Sequence, residues 1–229
     1  ACNADASTCA SGLKCGGVKQ LAGQEVGSCC SVPVGQTCDL VTDCGCGPEE
    51  TCTVVDESSP LRCRTLPKSP VDPYSACSAS DDCPARHSCI SGVCKLHCRF
   101  VADCGSEGVQ CLQPIDTDRL SFCARGCDLV SPQDPGAELN ACGMGLSCVP
   151  FDSPYRNDCR RAGSVVQGGP CASPSDCASG LGCSSSRTCE RWCEPAVNGS
   201  CGDGLVCGGR RDVVGRELGF CCQLPAGEV

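Results

Sequence analysis

Cysteine is the one residue type in this 229-residue chain that is frequent and regularly spaced enough to do chemistry, with 31 copies. Thiols at such spacing either ligate metal or oxidise to disulfides. Zinc and iron–sulfur sites draw on Cys-x2-Cys pairs, with histidine nearby in many zinc sites. Here no Cys-x2-Cys pair occurs, only His87 and His97 are present, and Cys-x-Cys occurs once, at Cys44-Gly45-Cys46. The spacing points to disulfides, and neither a metal nor any other cofactor is expected. Hydrolytic chemistry would need a nucleophile, a base and an orienting group. His87 falls in a five-residue loop between cysteines and His97 in a three-residue one, so both are expected on the surface and no enzyme is expected. Asp116-Thr117-Asp118 is similar to a fragment of a calcium loop but lacks its glycine and closing glutamate, and is expected to be a solvated loop tip. Trp192, the sole tryptophan, is expected to pack across the joint in which it lies.

The elements that must hold these cysteines repeat. Cys9-Ala-Ser-Gly-Leu-Lys-Cys15 nearly duplicates Cys177-Ala-Ser-Gly-Leu-Gly-Cys183, and the same Gly-Leu loop recurs at Cys142–Cys148 and Cys201–Cys207. A second signature, Cys-x4-Asp-Cys, places Asp43, Asp82, Asp103 and Asp176 directly before a cysteine. An aspartate there is expected to cap a turn with its side chain. Together the two signatures divide the chain into seven four-cysteine units. The first is Cys2, Cys9, Cys15, Cys29 and the second Cys38, Cys44 or Cys46, Cys52, Cys63. The third is Cys77, Cys83, Cys89, Cys94, and the fourth Cys98, Cys104, Cys111, Cys123. The fifth is Cys127, Cys142, Cys148, Cys159, followed by Cys171, Cys177, Cys183, Cys189 and by Cys193, Cys201, Cys207, Cys221.

Four cysteines allow three connectivities, and spacing does not choose among them. First-with-third and second-with-fourth is the expectation, as is common in small extracellular modules. It gives Cys77–Cys89 with Cys83–Cys94, Cys98–Cys111 with Cys104–Cys123, and Cys171–Cys183 with Cys177–Cys189. Short loops rich in Gly, Pro, Ser, Asp and Asn favour hairpins and turns, with Thr53-Val54-Val55 and Asp212-Val213-Val214 as candidate hairpin arms. The fold class expected is a small disulfide-rich one, a tandem array of about seven hairpin and loop modules with little regular secondary structure. Three joints are Cys-x3-Cys, at 95–97, 124–126 and 190–192, and their neighbours should pack closely. Looser joints are expected at 31–37, 64–76 and 160–170. The units then group as 1–63, 77–159 and 171–222, with a linker starting at 223–229.

Composition agrees with stapling. Aromatic residues are 3% of the chain, with one Met and one Trp, too few large side chains for one sizeable core. So many disulfides require an oxidising compartment, hence a secreted or cell-surface protein. No apolar run is long enough to insert in a membrane and no signal peptide is visible, so Ala1 is expected to be a processed N-terminus. A net charge of −9 and a pI near 4.7 argue against nucleic acid and anionic membrane surfaces. Asn198-Gly199-Ser200 is a glycosylation acceptor if the source is eukaryotic.

Cys77-Ser-Ala-Ser-Asp-Asp-Cys83-Pro-Ala-Arg-His-Ser-Cys89 resembles the N-terminal cysteine-rich domain of Dickkopf proteins, and Cys171-Ala-Ser-Pro-Ser-Asp-Cys177 is similar to its opening. The same pattern occurs in cysteine-rich repeat proteins of bacterial and invertebrate exteriors. The resemblance implies an extracellular structural or binding role and carries no fixed activity. Two function classes follow. One is a structural, adhesive or filament-forming repeat whose partner is another protein or itself. The other is a compact binding module, a protease inhibitor or receptor ligand, with Arg160-Arg161 and Arg210-Arg211 as candidate loop residues. Finally, 31 is odd. Units one and seven both end in a double cysteine, Cys29-Cys30 and Cys221-Cys222, and unit two holds one cysteine too many. Cys30 is expected to bond across the joint to that extra cysteine. Cys222 is then left over, expected to bond to another chain or to belong to a longer chain or polymer, with a simple unpaired thiol as the alternative.

Overall fold

A computed structural model describes residues 2, 9–11, 13–21, 24–31, 37–47, 49–54, 61–105, 109–112, 121–130, 142–150, 157–197, 200–202, 204–213 and 216–223. Asp116-Thr117-Asp118, Asn198, most of the 31–37 joint and 224–229 lie outside them. The fold is small and disulfide-rich. The described residues form fourteen short strands and three single 3-10 turns. None forms a helix long and apolar enough to cross a membrane.

The chain divides into two compact units, residues 1–123 and 124–229. The first holds four hairpins: β1 (Lys14–Leu21) with β2 (Gln24–Cys30), β3 (Glu50–Thr53) with β4 (Arg62–Thr65), β5 (His87–Ile90) with β6 (Val93–Leu96), and β7 (Val109–Leu112) with β8 (Phe122–Arg125). The second holds β9 (Leu146–Pro150) with β10 (Asn157–Arg161), and a four-stranded sheet in the order β11-β12-β14-β13. Its strands are β11 (Leu181–Cys183), β12 (Cys189–Cys193), β13 (Leu205–Val213) and β14 (Arg216–Gln223). The expected group 77–159 straddles this division. Thr53 and Asp212-Val213 do end hairpin arms, but most arms are built around cysteines.

Six of the hairpins carry the third and fourth cysteines of their unit directly opposite one another, as at Cys52↔Cys63, Cys89↔Cys94 and Cys183↔Cys189. Opposed residues project from the same face of an antiparallel pair. Both sulfurs therefore face the segment bearing the first two cysteines and bond to those; the seven units account for fourteen of the fifteen disulfides, and Cys30–Cys44 between units one and two is the other. Cys77 bonds Cys89 and Cys83 bonds Cys94. Cys98 bonds Cys111, Cys104 bonds Cys123, Cys171 bonds Cys183 and Cys177 bonds Cys189. Unit two uses Cys46 as its second cysteine, through Cys46–Cys63, which frees Cys44 for Cys30. The core of a module is its sulfur, with a few side chains such as Leu40 and Leu61 or Val165 and Leu181 packed on it.

The aspartate of each Asp-Cys signature is tied to backbone. Asp82 accepts from the amides of Ser78 and Ala79 at 2.8 and 3.0 Å. Asp103 does the same with Arg99 and Phe100, and Asp176 with Ala172 and Ser173. The paired N–H donors hold all three carboxyls below the usual carboxylate range. Unit two departs, because its Asp43 precedes the inserted Cys44. Asp43 is buried and accepts from Thr51 Oγ1 at 2.7 Å and the Cys52 amide at 2.9 Å; burial raises its pKa despite both bonds.

The joints expected to be loose are stitched to their neighbours. Within 64–76 the Leu66 amide donates to Glu49 O, Val71 to Asp82 O and Tyr74 to Cys94 O, while the buried Arg64 donates to Cys83 O at 2.8 Å. Within 160–170, Gly163 donates to Cys177 O and Val165 to Asp176 O. Pro, Gly and Ser suggested slack, but these backbone amides find partners in the flanking modules, mostly at the 3-10 turns that carry the Asp-Cys signatures. Gly163 shows the closeness: a Cβ there would lie 2.0 Å from the Asp176 carbonyl oxygen.

Candidate functional site: the joints between modules

Among the described residues, the chemistry-bearing side chains gather where modules meet. β6 leads into the joint Lys95-Leu96-His97, and His97 pairs with Phe122 ahead of Cys123 in the next unit. β12 runs through Glu190-Arg191-Trp192, and Trp192 pairs with Phe220 ahead of Cys221. The two joints share a backbone pairing: a residue with a ring side chain, one before the first cysteine of a unit, pairs with a phenylalanine one before its last. His97 is 1% exposed and Trp192 2%. The Trp192 and Phe220 ring centroids are 4.2 Å apart at an interplanar angle of 33°, and the indole also covers Gly182 of unit six, where a Cβ would fall 2.6 Å from Nε1. The joint at 124–126 has Gly126 in that place and Asp158 before Cys159.

Burial of both histidines overturns their expected surface position. Loop length between cysteines does not report what a neighbouring module covers. His87 is buried with Nδ1 2.6 Å from Ala85 O. His97 Nε2 shares a 2.9 Å hydrogen bond with Ser88 Oγ, and its amide donates to Arg86 O. Lys95, also buried, sets its ammonium 4.6 Å over the Phe122 ring, a cation–π contact. Ser88 and His97 resemble a catalytic pair in type only, because both are buried within the joint.

Burial, helped by the positive charges of His87, Arg86 and Arg64, pushes the His97 pKa down from 6.5 to about 3; burial also lowers His87. The folded state therefore binds fewer protons than the unfolded chain between about pH 6.5 and 3. The contribution is complete above pH 6.5 and is lost as pH falls through that window, with a slope of about 1.4 kcal/mol per pH unit. At pH 5 the joint between units three and four should be weaker by about 2 kcal/mol. Hydrogen exchange of the His97 amide, corrected for intrinsic rate, should lose more than tenfold protection between pH 7 and 5. Protection that stayed constant would contradict the neutral, buried imidazole.

Further links join modules within each compact unit. Arg99 of unit four pairs with the buried Asp39 of unit two, and the Arg86 amide donates to Thr51 Oγ1 at 2.8 Å. Arg216 of unit seven reaches Glu194 at 3.0 Å and Asp128 of unit five at 3.4 Å, an exposed cluster of small energetic weight. Arg160-Arg161 lies in β10, paired with Ser147 and Leu146 of β9, and Arg210-Arg211 lies in β13; neither is on the free loop expected for it. Cysteines that cluster in threes, such as Cys38, Cys46 and Cys52, are disulfide sulfurs with no thiolate to offer a metal. The one free cysteine is Cys222, exposed on β14. Phe122 and Phe220 went unnoticed in the sequence, although Phe-Cys closes the two units that follow a joint ending in His-Cys or Trp-Cys. Comparison with protein-family models, with curated proteins and with solved structures finds no match.

Proposed function

We propose that this chain is a non-enzymatic extracellular repeat protein with a structural, adhesive or filament-forming role. The observation that carries the reading is the construction of the joints. Large side chains in this chain are scarce, and Trp192, Phe220, Phe122 and His97 are spent on fixing one module to the next. A chain that only displays binding loops has no need to lock its modules. The Dickkopf-like Asp-Cys motifs and the acidic charge agree with an exterior location and a protein partner or self-association. A protease inhibitor is the other class, and it is less well supported. An inhibitor offers a protease an accessible extended loop, whereas the Arg160-Arg161 backbone is committed to the β9 ladder. Native material should show ordered assemblies or surface-bound arrays by negative-stain microscopy and should leave trypsin-like proteases uninhibited at micromolar concentration. Dispersed single particles together with stoichiometric inhibition would reverse the assignment.

A further inference from the structure

We infer that Cys222 is the coupling point for another disulfide-stapled module, bonded as Cys30 is bonded to Cys44; this rests on the structural role proposed above. Units one and seven are copies down to their irregularities. Both hairpins open with Cys-Gly-Gly, at Cys15 and at Cys207. Both break register directly after the first glycine, between Gly16 and Lys19 and between Gly208 and Arg211. Both resume with the third and fourth cysteines opposed, Cys15↔Cys29 and Cys207↔Cys221. One step further the pairs are Lys14↔Cys30 and Val206↔Cys222. Cys222 thus holds on β14 the register position that Cys30 holds on β2.

Register dictates direction. Successive strand residues point to opposite faces, so a cysteine after Cys29 or Cys221, each bonded inside its own unit to Cys9 or Cys201, is directed away from that unit. In unit one the outward thiol is bonded to Cys44 of the following module. In unit seven the equivalent sulfur is exposed, 3.6 Å from Val206 O.

The template also specifies the partner. Cys44 lies two residues ahead of Cys46, the second cysteine of its module, with Gly45 at φ 96° and Asp43 at φ 55° between and before them. The partner of Cys222 is accordingly a cysteine in a Cys-x-Cys segment of a four-cysteine module. A second copy of this chain has no such thiol, because Cys44 and Cys46 are both bonded. The link forms by thiol–disulfide exchange with a partner cysteine held as a mixed disulfide with a small thiol. The Cys222 thiol gives its proton to solvent, its thiolate attacks the partner sulfur, the new S–S bond forms, and the small thiol leaves as a thiolate that takes up a proton. No net oxidation occurs.

Native material alkylated at harvest and digested without reduction tests this. The peptide carrying Cys222 should be recovered disulfide-linked to a Cys-x-Cys peptide outside residues 1–229. Intact mass distinguishes the sources: reduction releases a second molecule if the module is separate and adds only hydrogens if it lies on the same polypeptide. The Cys222→Ser variant should retain all fifteen disulfides by mass and lose the linked species completely. Cys222 recovered alkylated, or as a Cys222–Cys222 dimer, overturns the inference. If ordered assemblies still form from material with alkylated Cys222, this inference fails while the structural role stands.

Discussion

Full reduction should abolish the folded structure, whereas heating the oxidised chain to 90 °C should leave most of its circular dichroism unchanged. Disulfide loops here span 11 to 21 residues, and loop closure of about fifteen residues contributes about 3 kcal/mol through the unfolded chain. The apolar side of the balance is small. A module cluster is three buried cysteines with two or three part-buried neighbours, as at Cys77, Cys83 and Cys94 with Val71 and Cys89. Removing the staples thus removes the core along with the covalent constraint, and hairpins of four residues a strand are not independently stable in water. Loss should be graded by compact unit rather than by module, because Arg64, Thr51 and Asp39 tie units two, three and four together. Circular dichroism and hydrogen exchange before and after complete reduction and alkylation measure both parts. Native spectra after reduction would mean that side-chain packing alone holds the modules, contrary to the burial seen here.

The fold class was legible because cysteine spacing is a strong local signal and the Gly-Leu and Asp-Cys motifs recur. Turn chemistry was legible at Asp82, Asp103 and Asp176, where donor and acceptor lie within four residues. What was not legible involves distance. Whether Cys44 or Cys46 serves unit two depends on where Cys30 arrives from the previous hairpin. His97 reads as a surface residue until its backbone pairs with Phe122 of the next unit and its ring is hydrogen-bonded to Ser88. Gly163, Gly and Pro around it notwithstanding, is held by its amide hydrogen bond to the Cys177 carbonyl of the next module, with the Asp176 carbonyl too close to leave room for a side chain. Each of these residues is decided by contact between modules, and residue spacing within a module carries no information about that contact.

Trp192→Ala should be the most damaging substitution outside the cysteines, costing about 3–5 kcal/mol. The indole is 2% exposed and touches both sides of its joint, Gly182 in β11 of unit six and Phe220 in β14 of unit seven. Truncation opens a cavity between two modules, and rigid disulfide frames cannot collapse to fill it. Phe220→Ala should cost a similar amount, and the double variant should fall short of the sum by about 1 kcal/mol, the coupling typical of an aromatic pair. Trp192→Phe should cost much less, because the indole N–H has no partner among the described residues and removing it relieves an unpaired buried donor. Gly182→Val provides the converse, since any side chain at 182 occupies the space of the indole and must displace it. Guanidinium midpoints of the oxidised variants, followed by far-ultraviolet circular dichroism, give the energies, and hydrogen exchange across β12 and β14 localises them. Equal stability of Trp192→Ala and the parent chain would show that the backbone pairs Trp192↔Phe220 and Cys193↔Gly219 suffice to join units six and seven. The ring pair would then have no part in fixing one module to the next.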